Sequence, residues 1–201
     1  MQPSYKHYLK IIRNTCTGHE RPVTIPSEEL ADLARLAEDH CTVPFVLSSF
    51  RGTPFYPSML QRTRSMMLNY YQIDQFTRHT VSLLRDNGID CILLKGISLA
   101  SCYPVPEYRK LGDLDLYISR KSDVSKAQKL LEANGYIAEN ELSDHHLTYH
   151  YTFPKTGRRF LLELHYRVVG MYQYEHANEI VDQVYSFENL VPVSQTINDF
   201  T

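Results

Sequence analysis

Hydrophobic and polar positions change their period along the chain, and the changes divide it. Over residues 4–15, Tyr5, Tyr8, Leu9 and Ile12 recur at spacings of three and four, which predicts an amphipathic helix closed by Thr17 and Gly18. A second helix is predicted from Ser27, its N-cap, to about Asp39. Glu28 and Glu29 fall in its first turn, where the helix dipole favours acids, and Leu30, Leu33, Ala34 and Ala37 face inward. Pro44, Gly52, Pro54 and Pro57 punctuate residues 42–57, which read as irregular chain or short helix. The longest helical period covers residues 58–87. Met66, Tyr70, Ile73, Thr77, Val81 and Leu84 form its core-facing stripe, and Arg62, Arg64, Gln72 and Arg78 lie on a solvated face.

Beyond Gly88 the period shortens towards two. Residues 90–94 read as an apolar strand, 97–102 as a short helix and 113–118 as a second strand. Ser122 is placed as the cap of a helix with Val124, Ala127, Leu130 and Leu131 inward and Gly135 at its end. A short strand at 136–138 precedes a hairpin, whose strands 147–153 and 159–168 flank a turn at Pro154-Lys155-Thr156-Gly157. Residues 175–184 carry a helical pattern, and 192–201 read as a link from which a further region has been cut away. The organisation expected is an N-terminal helical region over 1–57, a core over 58–168 and a C-terminal extension over 169–201. Its class is α+β, a small mixed sheet with flanking helices.

The polar positions within the strands carry the chemistry. Side chains alternate faces along a strand, so Asp113 and Asp115 point one way while Leu114 and Leu116 point the other. Two carboxylates on one face of a half-buried strand repel and lose hydration unless a donor or a cation offsets them. A divalent metal ion would do so and give them a use. In the hairpin the same alternation sets Glu163 and His165 opposite Leu162 and Leu164, which adds a third carboxylate.

Composition narrows the partners. A net charge of −2 creates no field that would draw the whole chain onto nucleic acid, and neither a basic stripe nor interleaved aromatics suggest an RNA-binding surface. A phosphate-bearing ligand is therefore held locally, by a few placed groups. No apolar run reaches membrane-spanning length, and residues 1–15 hold no export signal, so the default expectation is a cytoplasmic protein without a membrane partner. Cys16, Cys41, Cys91 and Cys102 form no C-x-x-C pair, which argues for free thiols. His145, His146 and His150 beside Asp144 invite a zinc reading, but adjacent side chains on a strand point apart, which disfavours it. No P-loop and no nucleophile elbow is present.

The order strand, Gly, helix, D-x-D strand, helix and acid-bearing hairpin resembles the nucleotidyltransferase fold of the DNA polymerase beta superfamily. More narrowly, LLKG at 93–96, YPVPEYR at 103–109, GDLDLYI at 112–118 and LELHYR at 162–167 resemble the uncharacterised nucleotidyltransferases. The resemblance implies that Asp113 and Asp115 bind metal, Mg²⁺ or Mn²⁺, with Glu163 as the third catalytic acid. It also implies that Gly96 and Ser98 form a phosphate-cradling turn, with Ile97 where the superfamily commonly has Ser or a second Gly. Lys95 and Arg109 are the candidate phosphate contacts, the Arg fork fitting phosphate oxygens in pairs. The activity implied is transfer of an NMP group from an NTP, ATP foremost, to a small-molecule or protein acceptor with release of pyrophosphate. The alternative is a catalytically silent nucleotide-binding or regulatory module, antitoxin-like, with the same fold.

Overall fold

The computed structural model describes residues 3–18, 23–118, 120–140 and 143–185. The expected link at 192–201 lies outside them. The chain divides into two compact units, one of residues 1–72 and 99–111, the other of residues 73–98 and 112–201.

The first unit is helical. Helices α1 (Pro3–Cys16), α2 (Leu30–Asp39) and α3 (Val43–Val46) enclose a core of Tyr8, Ile11, Leu33, Ala37, Val43, Val46, Phe50 and Met59. Of the predicted stripes Tyr8, Leu33, Ala34 and Ala37 enter this core, whereas Leu9 is exposed and the neighbouring Ile11 is buried in its stead. Ser27 does not cap α2. It opens a 3-10 turn, Ser27–Glu29, behind an extended Pro26, and α2 begins only at Leu30. The Tyr8 hydroxyl meets Thr42 Oγ1 at 2.7 Å, which satisfies both polar groups inside the core edge.

Helix α4 (Tyr56–Asp86) runs from the first unit into the second. Tyr70, Ile73, Thr77, Val81 and Leu84 of its predicted stripe are buried, and the Thr77 hydroxyl donates to the Ile73 carbonyl at 2.8 Å. On the outer face Arg62 pairs with Glu38 and Arg78 with Asp74, both at 2.9 Å.

Among the described residues the second unit is built on a five-stranded mixed sheet: β1 (Ile92–Leu93), β2 (Leu114–Tyr117), β3 (Ile137–Ala138), β4 (His146–Thr152) and β5 (Arg159–His165), in the order β1-β2-β5-β4-β3. Among the described residues β2 and β5 pair in parallel and the other neighbouring strands pair antiparallel. Leu114, Leu116, Leu162 and Leu164 are all but fully buried on one face. Phe160 and Tyr151 continue that face, and Phe76 of α4 stacks on both, its ring centroid 4.9 Å from that of Phe160. The apolar face is thus closed by α4, which leaves the opposite face for polar chemistry.

Helix α5 (Ile97–Ala100) follows β1, α6 (Lys121–Ala133) follows β2, and α7 (Glu175–Val184) follows β5. Ser122 lies inside α6 rather than at its cap; Arg120 holds that place without a capping side-chain bond. Among the described residues no helix is long and apolar enough to cross a membrane.

Candidate active site

Strand register assembles the acids. Parallel pairing sets Asp115 of β2 beside Glu163 of β5, and Tyr117 beside His165, so four side chains share the polar face. Antiparallel pairing of β1 with β2, Leu93 against Leu116, brings the end of β1 alongside the same place. There the Leu94 amide donates to the Asp115 carbonyl at 3.2 Å, and the chain turns through Lys95 and Gly96. Gly96 has φ +63°, a left-handed conformation that costs other residues energy. A β-carbon there would lie 3.5 Å from the Asp113 carbonyl oxygen and 3.8 Å from Asp115 Oδ2. Glycine therefore keeps the backbone bare directly over the acids.

Asp115 is 1% exposed. Its Oδ1 accepts from Lys95 Nζ at 3.0 Å and from His165 Nε2 at 3.1 Å. Glu163 Oε2 lies 3.3 Å from the same His165 nitrogen and 3.9 Å from the Lys95 ammonium. Burial alone would raise the Asp115 carboxyl, but hydrogen bonds from His165 and Lys95, with the lysine charge, hold it below the usual carboxylate range. Glu163 is pushed the other way, by burial and then by the neighbouring Asp115 and Asp113 charges. Asp115 is the ionised member of the pair and Glu163 the member that retains a proton more readily. Lys95 loses hydration here, yet its bond to Asp115 and the surrounding acids raise its pKa, so it stays charged.

The sequence candidates divide accordingly. Asp115, Glu163 and Lys95 meet. Asp113 immediately precedes β2, half-buried, and its charge acts on both Lys95 and Glu163. Ser98 closes the turn, its hydroxyl donating to the Lys95 carbonyl at 3.1 Å. Ile97 is 2% exposed, so its side chain serves the core. Arg109 belongs to the first unit, where its guanidinium donates to the Lys110 carbonyl at 3.1 Å and lies over the Tyr103 ring.

A divalent cation suits this cluster. One ligand atom each from Asp115, Glu163 and His165 falls within 4.8 Å of the others. Asp115 Oδ2 is buried without a hydrogen-bond partner, an orphaned anionic oxygen beneath the bare Gly96 backbone. Such an atom is costly unless a cation or donor meets it.

Histidines 145 and 146, expected to point apart, instead meet at His165. His145 lies in a bend ahead of β4, so strand alternation does not govern it, and β4–β5 pairing sets His146 opposite His165. The sequence carried a signal for this. Counting outward from the turn at 154–157, residue 152 pairs with 159 and residue 146 with 165. His150 is elsewhere, bonded to Glu139. Burial, then the neighbouring His145 and His165, lowers the pKa of His146.

A family model described as uncharacterised nucleotidyltransferase matches residues 26–193 of the chain. No curated protein and no solved structure matches it.

Proposed function

Because this chain belongs to the family of uncharacterised nucleotidyltransferases, we propose that it transfers an NMP group from an NTP, ATP foremost, to a hydroxyl-bearing small molecule or protein. The observation that carries this reading is the buried Asp115 beside Glu163, with Asp115 Oδ2 unpartnered under Gly96. Asp115 and Glu163, with Asp113 at the start of the strand, are the residues that would hold Mg²⁺ or Mn²⁺. Such an ion supplies charge neutralisation at the triphosphate oxygens.

The chain's own groups divide the remaining work. Glu163, whose carboxylate is the more basic of the pair, accepts the proton of the attacking hydroxyl. The hydroxyl oxygen bonds to the α-phosphorus, the bond from that phosphorus to the bridging oxygen breaks, and pyrophosphate leaves with the electron pair. His165 Nε2 spans Asp115 and Glu163 and holds the two carboxylates side by side. The Lys95 ammonium, half exposed and already at the acids, is the group positioned to turn to a phosphate oxygen when nucleotide enters. Gly96 and Ser98 shape the turn against which the triphosphate lies.

The test is incubation with each of four labelled NTPs, Mg²⁺ or Mn²⁺ and a pool of candidate acceptors. Transfer of label is expected in the wild type and its loss in Asp113→Ala and Asp115→Ala. Transfer that persists in both variants removes the mechanism. The Lys95–Asp115 ion pair favours one other reading, a silent nucleotide-binding or regulatory module whose acids are already neutralised by lysine. Calorimetric nucleotide binding with no transfer to any acceptor would select it.

A further inference from the structure

Three imidazoles converge beside the acids: one ring nitrogen each from His145, His146 and His165 lies within 4.8 Å of the others. The rings are not stacked on a common apolar surface. His145 and His146 stand perpendicular at 4.3 Å between centroids, and His165 lies 5.1 Å from His146 and 5.6 Å from His145. Each ring has one nitrogen already engaged. His165 Nε2 faces Asp115 Oδ1, and since an ionised carboxylate only accepts, that nitrogen carries the proton. In the neutral ring its Nδ1 is a lone-pair acceptor, and it is buried without a partner on a side chain only 4% exposed. His145 Nδ1 meets Asp144 Oδ1 at 2.7 Å, which in the neutral ring leaves Nε2 as the lone pair. His146 Nδ1 meets Ser143 Oγ at 3.2 Å.

Metal-ligating histidines are commonly held by one ring nitrogen bonded to a carboxylate, hydroxyl or carbonyl, which leaves the other nitrogen to bind. The holding shell is itself built. Asp144 Oδ2 accepts from the Met171 amide at 2.8 Å. The amides of Tyr166 and Arg167 donate to the His145 carbonyl at 3.0 and 3.1 Å. Gly170 leaves space for the Asp144–His145 pair, since a β-carbon there would come within 3.3 Å of Asp144 Oδ1 and 3.5 Å of His145 Nδ1.

We propose that His145, His146 and His165 form a second metal site, for a late first-row ion of the Zn²⁺ class, sharing His165 with the acidic pair. Neutral imidazoles suit such ions and discriminate against Mg²⁺, which seeks oxygen. Three protein nitrogens leave a fourth position open. The site stands whether or not the chain transfers nucleotides, because nothing in it depends on the transfer reaction.

The probe is Co²⁺ titrated into the untagged, chelator-stripped protein, followed by its visible d–d absorption, with Zn²⁺ as competitor. The wild type is expected to take up one equivalent with the intense bands of a four-coordinate ion, bleached by Zn²⁺. H145Q and H146Q, at half-buried positions and checked for unchanged thermal unfolding, should each lose tenfold or more in affinity. D144N should lose about tenfold, in line with the usual worth of an outer partner, and H150Q should bind as the wild type does. Absence of the bands in the wild type, or retention of affinity in both H145Q and H146Q, overturns the proposal.

Discussion

Asp115 sits directly beside Glu163 across the parallel β2–β5 pair, and His165 Nε2 bridges them at 3.1 and 3.3 Å. The two acids are held in opposite electrostatic states by one set of neighbours. Lys95 and His165 both bond Asp115 Oδ1, whereas Glu163 feels burial and the charges of Asp115 and Asp113 more than it feels Lys95, 3.9 Å away. Two carboxylates so placed share a proton more readily than they both ionise.

The two states predict opposite mutational signs. Glu163 has a folded pKa above its unfolded value, so the folded state holds the proton longer. Its contribution to stability is therefore full below the unfolded value and falls as pH rises through the folded one. Glu163→Gln removes that cost and should raise the Tm of the metal-free protein at neutral pH. Asp115 has a folded pKa below its unfolded value. Its contribution is present above the unfolded value and lost as pH falls through the folded one, so Asp115→Asn should lower Tm at neutral pH. Thermal unfolding at pH 7 and pH 4 reads both, and the Glu163→Gln gain should shrink at the lower pH.

Gly96→Ala tests the bare turn. At φ +63° the added methyl group strains the backbone by about 1–2 kcal/mol. Its contacts, at 3.5 Å from the Asp113 carbonyl and 3.8 Å from Asp115 Oδ2, are tolerable but occupy the approach to the orphaned oxygen. We expect a folded protein with a lowered Tm and a loss of divalent-cation affinity larger than the stability change would explain. Calorimetric Mn²⁺ titration beside thermal unfolding separates the two effects.

Cys91 offers a check on the second unit's packing. Burial, with Asp90 adding and Arg85 opposing, pushes its thiol up to about 11. The native protein should therefore leave Cys91 unmodified by iodoacetamide at pH 8 while the exposed Cys16 and Cys102 react. A folded pKa raised from 9 to about 11 also means stability lost as pH climbs through that window, on the order of 2–3 kcal/mol. Cys91→Ser should flatten that loss in alkaline unfolding curves. Peptide mapping of labelled thiols reads the first expectation.

Much of this arrangement was legible before the structure. The stripe Tyr70, Ile73, Thr77, Val81 and Leu84 follows from period, and β5 with Glu163 and His165 opposite Leu162 and Leu164 follows from alternation and the turn at 154–157. Caps were less so: Ser27 and Ser122 have capping side chains, but whether a serine caps depends on backbone angles that Pro26 and Arg120 set otherwise. Lys95 was read as a phosphate contact; its bond to Asp115 depends on the antiparallel register of β1, a strand of two residues, which no pattern in the sequence fixes. The His146–His165 pairing can be counted from the turn at 154–157, but His145 joins them through a bend before β4, and no period marks a bend.

The proposed ligation of a divalent cation by the Asp115 and Glu163 oxygens is read by Mn²⁺ binding followed by electron paramagnetic resonance. In the presence of nucleotide the wild type should bind Mn²⁺, Asp115→Asn should lose tenfold or more in affinity, and H146Q should bind as the wild type does. Equal Mn²⁺ binding by wild type and Asp115→Asn would contradict the account.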